Sequence, residues 1–220
     1  MQLTGRTLYK DGDWNTLCLP FDLASLSGTP LEGATVKTLT STAFADGTLT
    51  LNFTEDANNL TSIEAGKPYI VKWSKPDGYD GHGSDYDLQN PVFTGVTIES
   101  DMDNVTTDYV TFCGTYSPID YACDNNSILF LGLHNTLYYP QAGAHIGAFR
   151  AYFELRNGLT AASITNARLA FDDEEETTSM VDVRGKMADG RSDIYNLNGQ
   201  KVLNPTKGLY IVNGRKVIIK

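Results

Sequence analysis

The residues best suited to chemistry lie in one stretch, KPDGYDGHGSDYDLQN, from Lys75 to Asn90. Asp77, Asp80, Asp85 and Asp87 surround three glycines that let the backbone fold tightly. Calcium takes roughly six to eight hard oxygens from the carboxylates and carbonyls of such a loop, so these four aspartates are the candidate calcium ligands. Their spacing departs from the D-x-[DN]-x-[DN]-G order of an EF-hand, and acid-rich turns are more often simply solvated. Asp11-Gly12-Asp13 and Asp101-Met102-Asp103-Asn104 are weaker variants of the same composition. Tyr79, Tyr86 and His82 offer a different use of the loop, as rings that stack on a sugar or on a protein partner. Exposed loops held by a rigid scaffold carry function disproportionately, which makes this stretch the first candidate site.

Other chemistry has less support. His82, His134 and His145 share no metal-ligand spacing such as H-E-x-x-H, and none adjoins a Ser or Cys in a nucleophile motif. His134 and His145 bracket LHNTLYYPQAGAHIGAF, where they could face each other across strands. No G-x-S-x-G, P-loop or G-x-G-x-x-G follows a strand, so acyl transfer, phosphoryl transfer and dinucleotide chemistry lack a motif. Glycoside hydrolysis needs two facing carboxylates, whereas only Glu154 and Glu99 fall on strand-like sequence. No enzyme activity, no catalytic residue and no cofactor other than calcium is therefore expected.

Three cysteines, Cys18, Cys113 and Cys123, form no C-x-x-C pair, which argues against a zinc ribbon or a redox motif. An odd count permits at most one internal bridge, and Cys113 with Cys123 is the conceivable pair if they flank a hairpin. Cysteine is equally at home as a small buried hydrophobe.

The elements that must position the loop read as strands. Alternation marks Thr35 to Leu39 and Thr48 to Phe53, and PYIVKW (Pro68 to Trp73) runs straight into the loop. Val92 to Ile98, YVTFCGTY, SILFLGL, TLYYP, AFRAYFEL and RLAF continue the series, with TLYYP and AFRAYFEL reading as a hairpin. Helical periodicity is confined to Pro20 to Leu26 and, more weakly, Ala57 to Ile63. The predicted core is Trp14, Leu17, Leu19, Phe21, Tyr69, Val71, Phe93, Phe112, Phe130, Phe149, Tyr152 and Phe153. The pattern predicts an all-β protein with a β-sandwich, jelly-roll or Greek-key-like, over 1–172.

The run DDEEE, Asp172 to Glu176, opens an acidic linker over about 173–180, because adjacent like charges repel and nothing apolar is available to bury. A small β-hairpin unit over 181–220 follows. Tyr195 to Val202 (YNLNGQKV) and Tyr210 to Val217 (YIVNGRKV) repeat Y-x-x-N-G-[QR]-K-V. Asn-Gly between apolar alternations predicts a type I′ hairpin in each copy, because both turn positions need positive φ.

At 220 residues, with 41% hydrophobic and 20% charged residues, the chain is long enough and apolar enough to bury a core. The net charge of −10 is uneven: 9 Lys+Arg against 24 Asp+Glu over 1–176, and 8 against 3 over 177–220. So acidic a body repels phosphate backbones, which disfavours nucleic acid as a partner. No stretch approaches the ~18 apolar residues of a membrane span. The N-terminus, MQLTGRTLYKDGDWNTL, has no apolar h-region, so no signal peptide is expected within this chain.

WNTLCLPFDL (Trp14 to Leu23), EAGKPYIVKW (Glu64 to Trp73), NPVFTGVTI (Asn90 to Ile98) and LYYP…IGAFRAYFEL (Leu137 to Leu155) resemble an uncharacterised β-rich domain. It recurs near the C-termini of large Bacteroidetes surface and secreted proteins. The ending DIYNLNGQKVLNPTKGLYIVNGRKVIIK resembles the C-terminal tail of a type IX secretion sorting domain, although a full domain of that kind has several more strands. The resemblance implies an exported, extracellular or cell-surface location and upstream domains in a larger parent chain, and it brings no catalytic residues. The expected function is a non-catalytic adhesion module binding a glycan or a host protein. A structural spacer or secretion-sorting module is the alternative.

Overall fold

A computed structural model describes residues 1–53 and 60–171, together with the backbone of 194–195, 208–212 and 215–219. The chain divides into two compact units, Met1–Gly185 and Lys186–Lys220. The expected acidic linker, 173–180, lies outside the described residues.

The first unit begins with β1 (Thr7–Leu8), β2 (Asn15–Cys18), β3 (Thr35–Lys37), β4 (Leu39–Ala45) and β5 (Thr48–Phe53). There follow β6 (Pro68–Lys72), β7 (Leu88–Gln89), β8 (Val105–Thr106), β9 (Val110–Thr115) and β10 (Ile119–Asp120). β11 (Ile128–Leu131), β12 (Leu137–Tyr138), β13 (His145–Ile146), β14 (Arg150–Leu155) and β15 (Asn166–Ala170) complete it. Among the described residues there is no α-helix, only 3-10 turns at Leu133–Asn135 and Ala161–Ser163, so no helix is long and apolar enough to cross a membrane.

The protein is all-β, and its sheets stack as a β-sandwich. A five-stranded sheet in the order β12-β11-β14-β9-β8 and a three-stranded sheet β15-β5-β4 contribute to one apolar cluster. Period-two alternation explains the layering: on β14, Ala151, Phe153 and Leu155 are buried while Arg150, Tyr152 and Glu154 are less so. Phe153 is paired with Phe112 across β14 and β9, and the two rings stack with centroids 4.6 Å apart. Burying each such side chain contributes about 1.5–3 kcal/mol. A second cluster gathers Leu17, Leu19, Tyr69 and Val71 from the β2-β6-β3 sheet and its flanks with Leu3, Leu8, Phe21 and Phe93. The chain passes between sheets at Thr38, since β3 pairs with β6 and β4 with β5.

Of the predicted core, Phe149 and Tyr152 are only half-buried, and the rest are buried. Other expectations are corrected. Pro20 to Leu26 is a series of turns rather than a helix, with Leu23 bridged to Ile63. In the second helical candidate, 57–59 lie outside the described residues, and Leu60 to Ile63 is not helical, Leu60 N donating to Val36 O and Ile63 bridging to Leu23. Val92 to Ile98 is no strand beyond an isolated bridge from Val92 to Gln2. Phe93 is buried in the second cluster and Val96 packs against it half-buried, while Val92 and Ile98 are over half exposed. TLYYP does not pair with AFRAYFEL, because β11 stands between them in the sheet. A tight turn at Leu133–Asn135 folds β12 back on β11, and β13 pairs with β10 instead.

In the second unit β16 (Ile194–Tyr195), β17 (Gly208–Val212) and β18 (Arg215–Ile219) form an antiparallel sheet in that order. Val212 is paired with Arg215, and the Asn213-Gly214 turn expected between them lies outside the described residues. The Asn198-Gly199 turn and the strand expected after it lie outside the described residues.

Candidate functional site

The 75–90 loop leaves β6 at Trp73 and returns as β7, which pairs with β1. Asn90 N donates to Arg6 O at 2.8 Å, and Gly5 N donates to Asn90 Oδ1 at 2.7 Å. This stitching sets the N-terminal residues Tyr9 to Asp13 beside the loop. Inside the loop, backbone turns close from Tyr79 N to Pro76 O, Ser84 N to Gly81 O and Asp87 N to Ser84 O. Gly81 at φ 125° takes a conformation that side-chain-bearing residues rarely adopt.

Asp87 anchors the loop. Its Oδ1 accepts from Lys10 N and from the Tyr79 hydroxyl, each at 3.0 Å, and its Oδ2 accepts from Gly83 N at 2.9 Å. Three donors satisfy a buried carboxylate well. Burial first, and then the Asp87 carboxylate, push the Tyr79 phenol well above its ordinary pKa. Asp77, Asp80 and Asp85 stay exposed. Among the described residues, no three His, Cys, Asp or Glu side chains gather in a way that could hold a metal ion. The expected calcium cage is thus not assembled: Asp87 turns inward to the loop's own donors while Asp77, Asp80 and Asp85 point to solvent.

The ring residues fare differently. Tyr86 is 45% exposed, with its hydroxyl donating to Asp77 O at 3.2 Å. His82 stacks on Tyr9 with ring centroids 3.7 Å apart and planes within 11°, and its Nε2 lies 2.7 Å from Asp11 Oδ2. Lys75 Nζ sits 5.4 Å over the Tyr79 ring, and Lys10 Nζ 5.3 Å over Trp73. Such cation–π contacts hold two cations against the face. Tyr79 is therefore partly covered, whereas Tyr86 and the Tyr9–His82 pair remain available to a ligand.

Asp13 binds the neighbouring turn: its Oδ2 accepts from His134 N at 3.0 Å, and Asn135 Nδ2 donates to its Oδ1 at 3.3 Å. Trp14 N donates to Asn135 Oδ1 at 2.7 Å, which holds His134 and Asn135 at positive φ. His134 Nδ1 lies 3.4 Å from Asp13 Oδ2, and His145 Nδ1 lies 2.7 Å from Asp120 Oδ1. Each histidine is thus matched to its own aspartate, and His134 and His145 do not form a joint site. All three cysteines are free thiols, so the conceivable Cys113–Cys123 bridge is not made.

No protein-family model, curated protein or solved structure matches the chain.

The site must be read from its own groups. Sequence reasoning found the loop but missed Tyr9, Asp11 and Asp13 as its partners. Period-two alternation could not join them, because residues about seventy positions apart meet here. It also missed Arg6 and Arg150. Arg6 is only 1% exposed, and Arg150 is half-buried at the start of β14.

Proposed function

We propose that this chain is a non-catalytic binding module of an exported surface protein, with the 75–90 face contacting a glycan or a protein ligand. The observation that carries the reading is a braced aromatic face. Tyr9 and His82 are stacked and fixed through Asp11, and Tyr86 stands exposed beside them on a loop pinned by Asp87. Rigid, amphipathic rings lose little side-chain freedom on binding, which suits recognition of sugars and proteins alike. The two buried cysteines fit the non-catalytic part. Burial pushes the Cys18 thiol up to about 12, and burial followed by Glu154 pushes Cys113 to about 11, so neither supplies a thiolate near neutral pH. Export and upstream domains rest on the likeness of the Trp14–Leu23, Glu64–Trp73 and C-terminal phrases to surface proteins.

A structural spacer or secretion-sorting role is the second reading. It draws on the internal use of polar groups on this face, since Asp87 of the loop and Asp11 and Asp13 beside it bind this chain's own donors. A glycan and matrix-protein array, probed with the wild-type chain and with Tyr86→Ala and His82→Ala, separates the two. Reproducible binding that drops in both variants is expected. Silence across the array with calcium and with EDTA would favour the spacer.

A further inference from the structure

The strongest unexplained feature is a pair of arginines with no carboxylate partner among the described residues. Arg6 is withdrawn from water, its Nη1 donating to Thr7 O at 2.7 Å and its Nη2 to Thr16 O at 2.6 Å, while Nε has no partner. Arg150 enters no ion pair among the described residues, and its Nε lies 3.1 Å from where a Cβ on Gly147 would stand. β2 serves as a ruler for their placement. Asn15 holds Tyr9 by a two-way clamp, Tyr9 N to Asn15 Oδ1 and Asn15 Nδ2 to Tyr9 O, both at 2.9 Å. Thr16 holds Arg6, and Cys18 N donates to Phe149 O, the residue before Arg150. Three residues of strand span roughly 10 Å, so the points on β2 that hold Tyr9, Arg6 and Phe149 lie within that length.

The electrostatics agree with this placement. Burial and then Arg150 pull the Arg6 guanidinium well below its usual pKa, and burial lowers that of Arg150; Tyr9 is the group that favours the charge of each. Both remain cations at neutral pH. Residues 1–176 offer 24 carboxylates to 9 Lys+Arg, so a counter-charge would be easy to supply from within. A withdrawn cation beside a second cation is costly without one. A purely structural role, tying residues 6 and 16 together, accounts for two nitrogens of Arg6. It leaves Arg6 Nε and the whole Arg150 fork unexplained. Phe149 adds a further sign: it takes φ 56°, a conformation bulky residues rarely hold, immediately before Arg150.

We propose that Arg150, backed by Arg6 and flanked by Tyr9, receives an oxyanion group of the ligand, and that this ligand is an acidic saccharide. The assignment rests on the aromatic-face reading above, with Tyr9 shared between the two features. A planar guanidinium fork matches a carboxylate or sulfate bidentately, and Tyr9, stacked on His82, is anchored on the same strand β2 as Arg6.

Isothermal titration of the full chain with digalacturonate, a sulfated disaccharide, maltose, sodium sulfate and a Glu-rich hexapeptide tests this, with R150Q and R150K alongside. A one-to-one isotherm is expected for at least one of the two acidic sugars and none for maltose. R150Q should lower the affinity about 30-fold or more, the loss on truncating one partner of a desolvated charge pair. R150K, which keeps the charge without the fork, should recover part of it, and matching melting temperatures would exclude misfolding as the cause. Acidic-sugar binding unchanged in R150Q overturns the inference, as does binding of sulfate or the peptide without either acidic sugar. Maltose or an array glycan binding through Tyr86 and His82 with no dependence on Arg150 overturns the inference alone and leaves the aromatic-face reading standing.

Discussion

Asp87 and Arg6 are both charged side chains withdrawn from water, and the protein treats them in opposite ways. Asp87 sits within a closed set of donors: Lys10 N, Gly83 N and the Tyr79 hydroxyl. Arg6 has two carbonyl acceptors, an unpartnered Nε and another cation as its charged neighbour. The first arrangement is finished within the chain, so it organises structure and has little left to offer a ligand. The second is unfinished, and an unfinished buried charge is the better pointer to something that binds. Richness in acids drew attention to the loop, yet the loop's inward acid is the satisfied one. Function is better sought where charge remains uncompensated.

The comparison breaks most visibly at Asp87. Asp87→Ala leaves Lys10 N, Gly83 N and the Tyr79 hydroxyl without their acceptor and unpins the loop from the N-terminal segment. Loss of a buried carboxylate with several bonds is expected to lower stability by about 2–4 kcal/mol. A shift of that size in the urea midpoint, with unchanged slope, checks it. A change below about 0.5 kcal/mol would mean that the carboxylate is solvated and that the contrast with Arg6 is false.

Cys18 shows a third treatment, a buried ionisable group kept neutral. Its thiol is raised from 9.0 to about 12 by burial, and Tyr69, Tyr116 and Tyr152 are raised from 10.0 to about 12, burial again leading in each. A raised folded pKa means that the unfolded chain loses its proton first. The contribution is therefore complete below the unfolded value and is lost as pH climbs toward the folded one. Stability should start to fall above about pH 9 through Cys18, by about 1 kcal/mol between pH 9 and 10, with the tyrosines steepening the loss above pH 10. Melting curves across pH 7–11 measure this, and Cys18→Ala should flatten the step between 9 and 10 while leaving the tyrosine limb.

These contrasts also mark how far the sequence could be read. β5, β9 and β14 were legible because Leu49, Phe112 and Phe153 alternate with residues outside the first cluster, and β6 because PYIVKW is an apolar run that supplies Ile70 to one cluster and Tyr69 and Val71 to the other. The second Asn-Gly hairpin was legible because turn chemistry is local. The order of β12, β11 and β14 was not, since the turn at His134 and Asn135 depends on Asp13 and Trp14, more than 120 positions away. The aspartates of the 75–90 loop looked alike in sequence. What separates Asp87 from Asp77, Asp80 and Asp85 is a bond to Lys10 N, seventy-seven positions distant. Arg6, in the polar phrase TGRTLYK, has no local feature that distinguishes it from a surface arginine. Its burial follows from β1 pairing with β7 and from its reach to Thr16 O.

Arg6→Met is the mildest and most discriminating test of the opening contrast. Methionine keeps much of the length and packing of the arginine stem and removes the charge. Two effects oppose each other. Thr7 O and Thr16 O lose a donor, which is unfavourable, while a guanidinium with no counter-charge no longer has to be desolvated beside Arg150. Removing one partner of a buried ion pair is severe because it strands the other charge, but among the described residues Arg6 has no partner to strand. The terms should nearly cancel, leaving stability within about 1 kcal/mol of wild type, well short of the Asp87→Ala effect. Equilibrium urea unfolding of both variants under one set of conditions makes the comparison. A loss at Arg6→Met as large as that at Asp87→Ala would show the arginine to be structurally compensated, and the proposed oxyanion site would lose the uncompensated charge on which it depends.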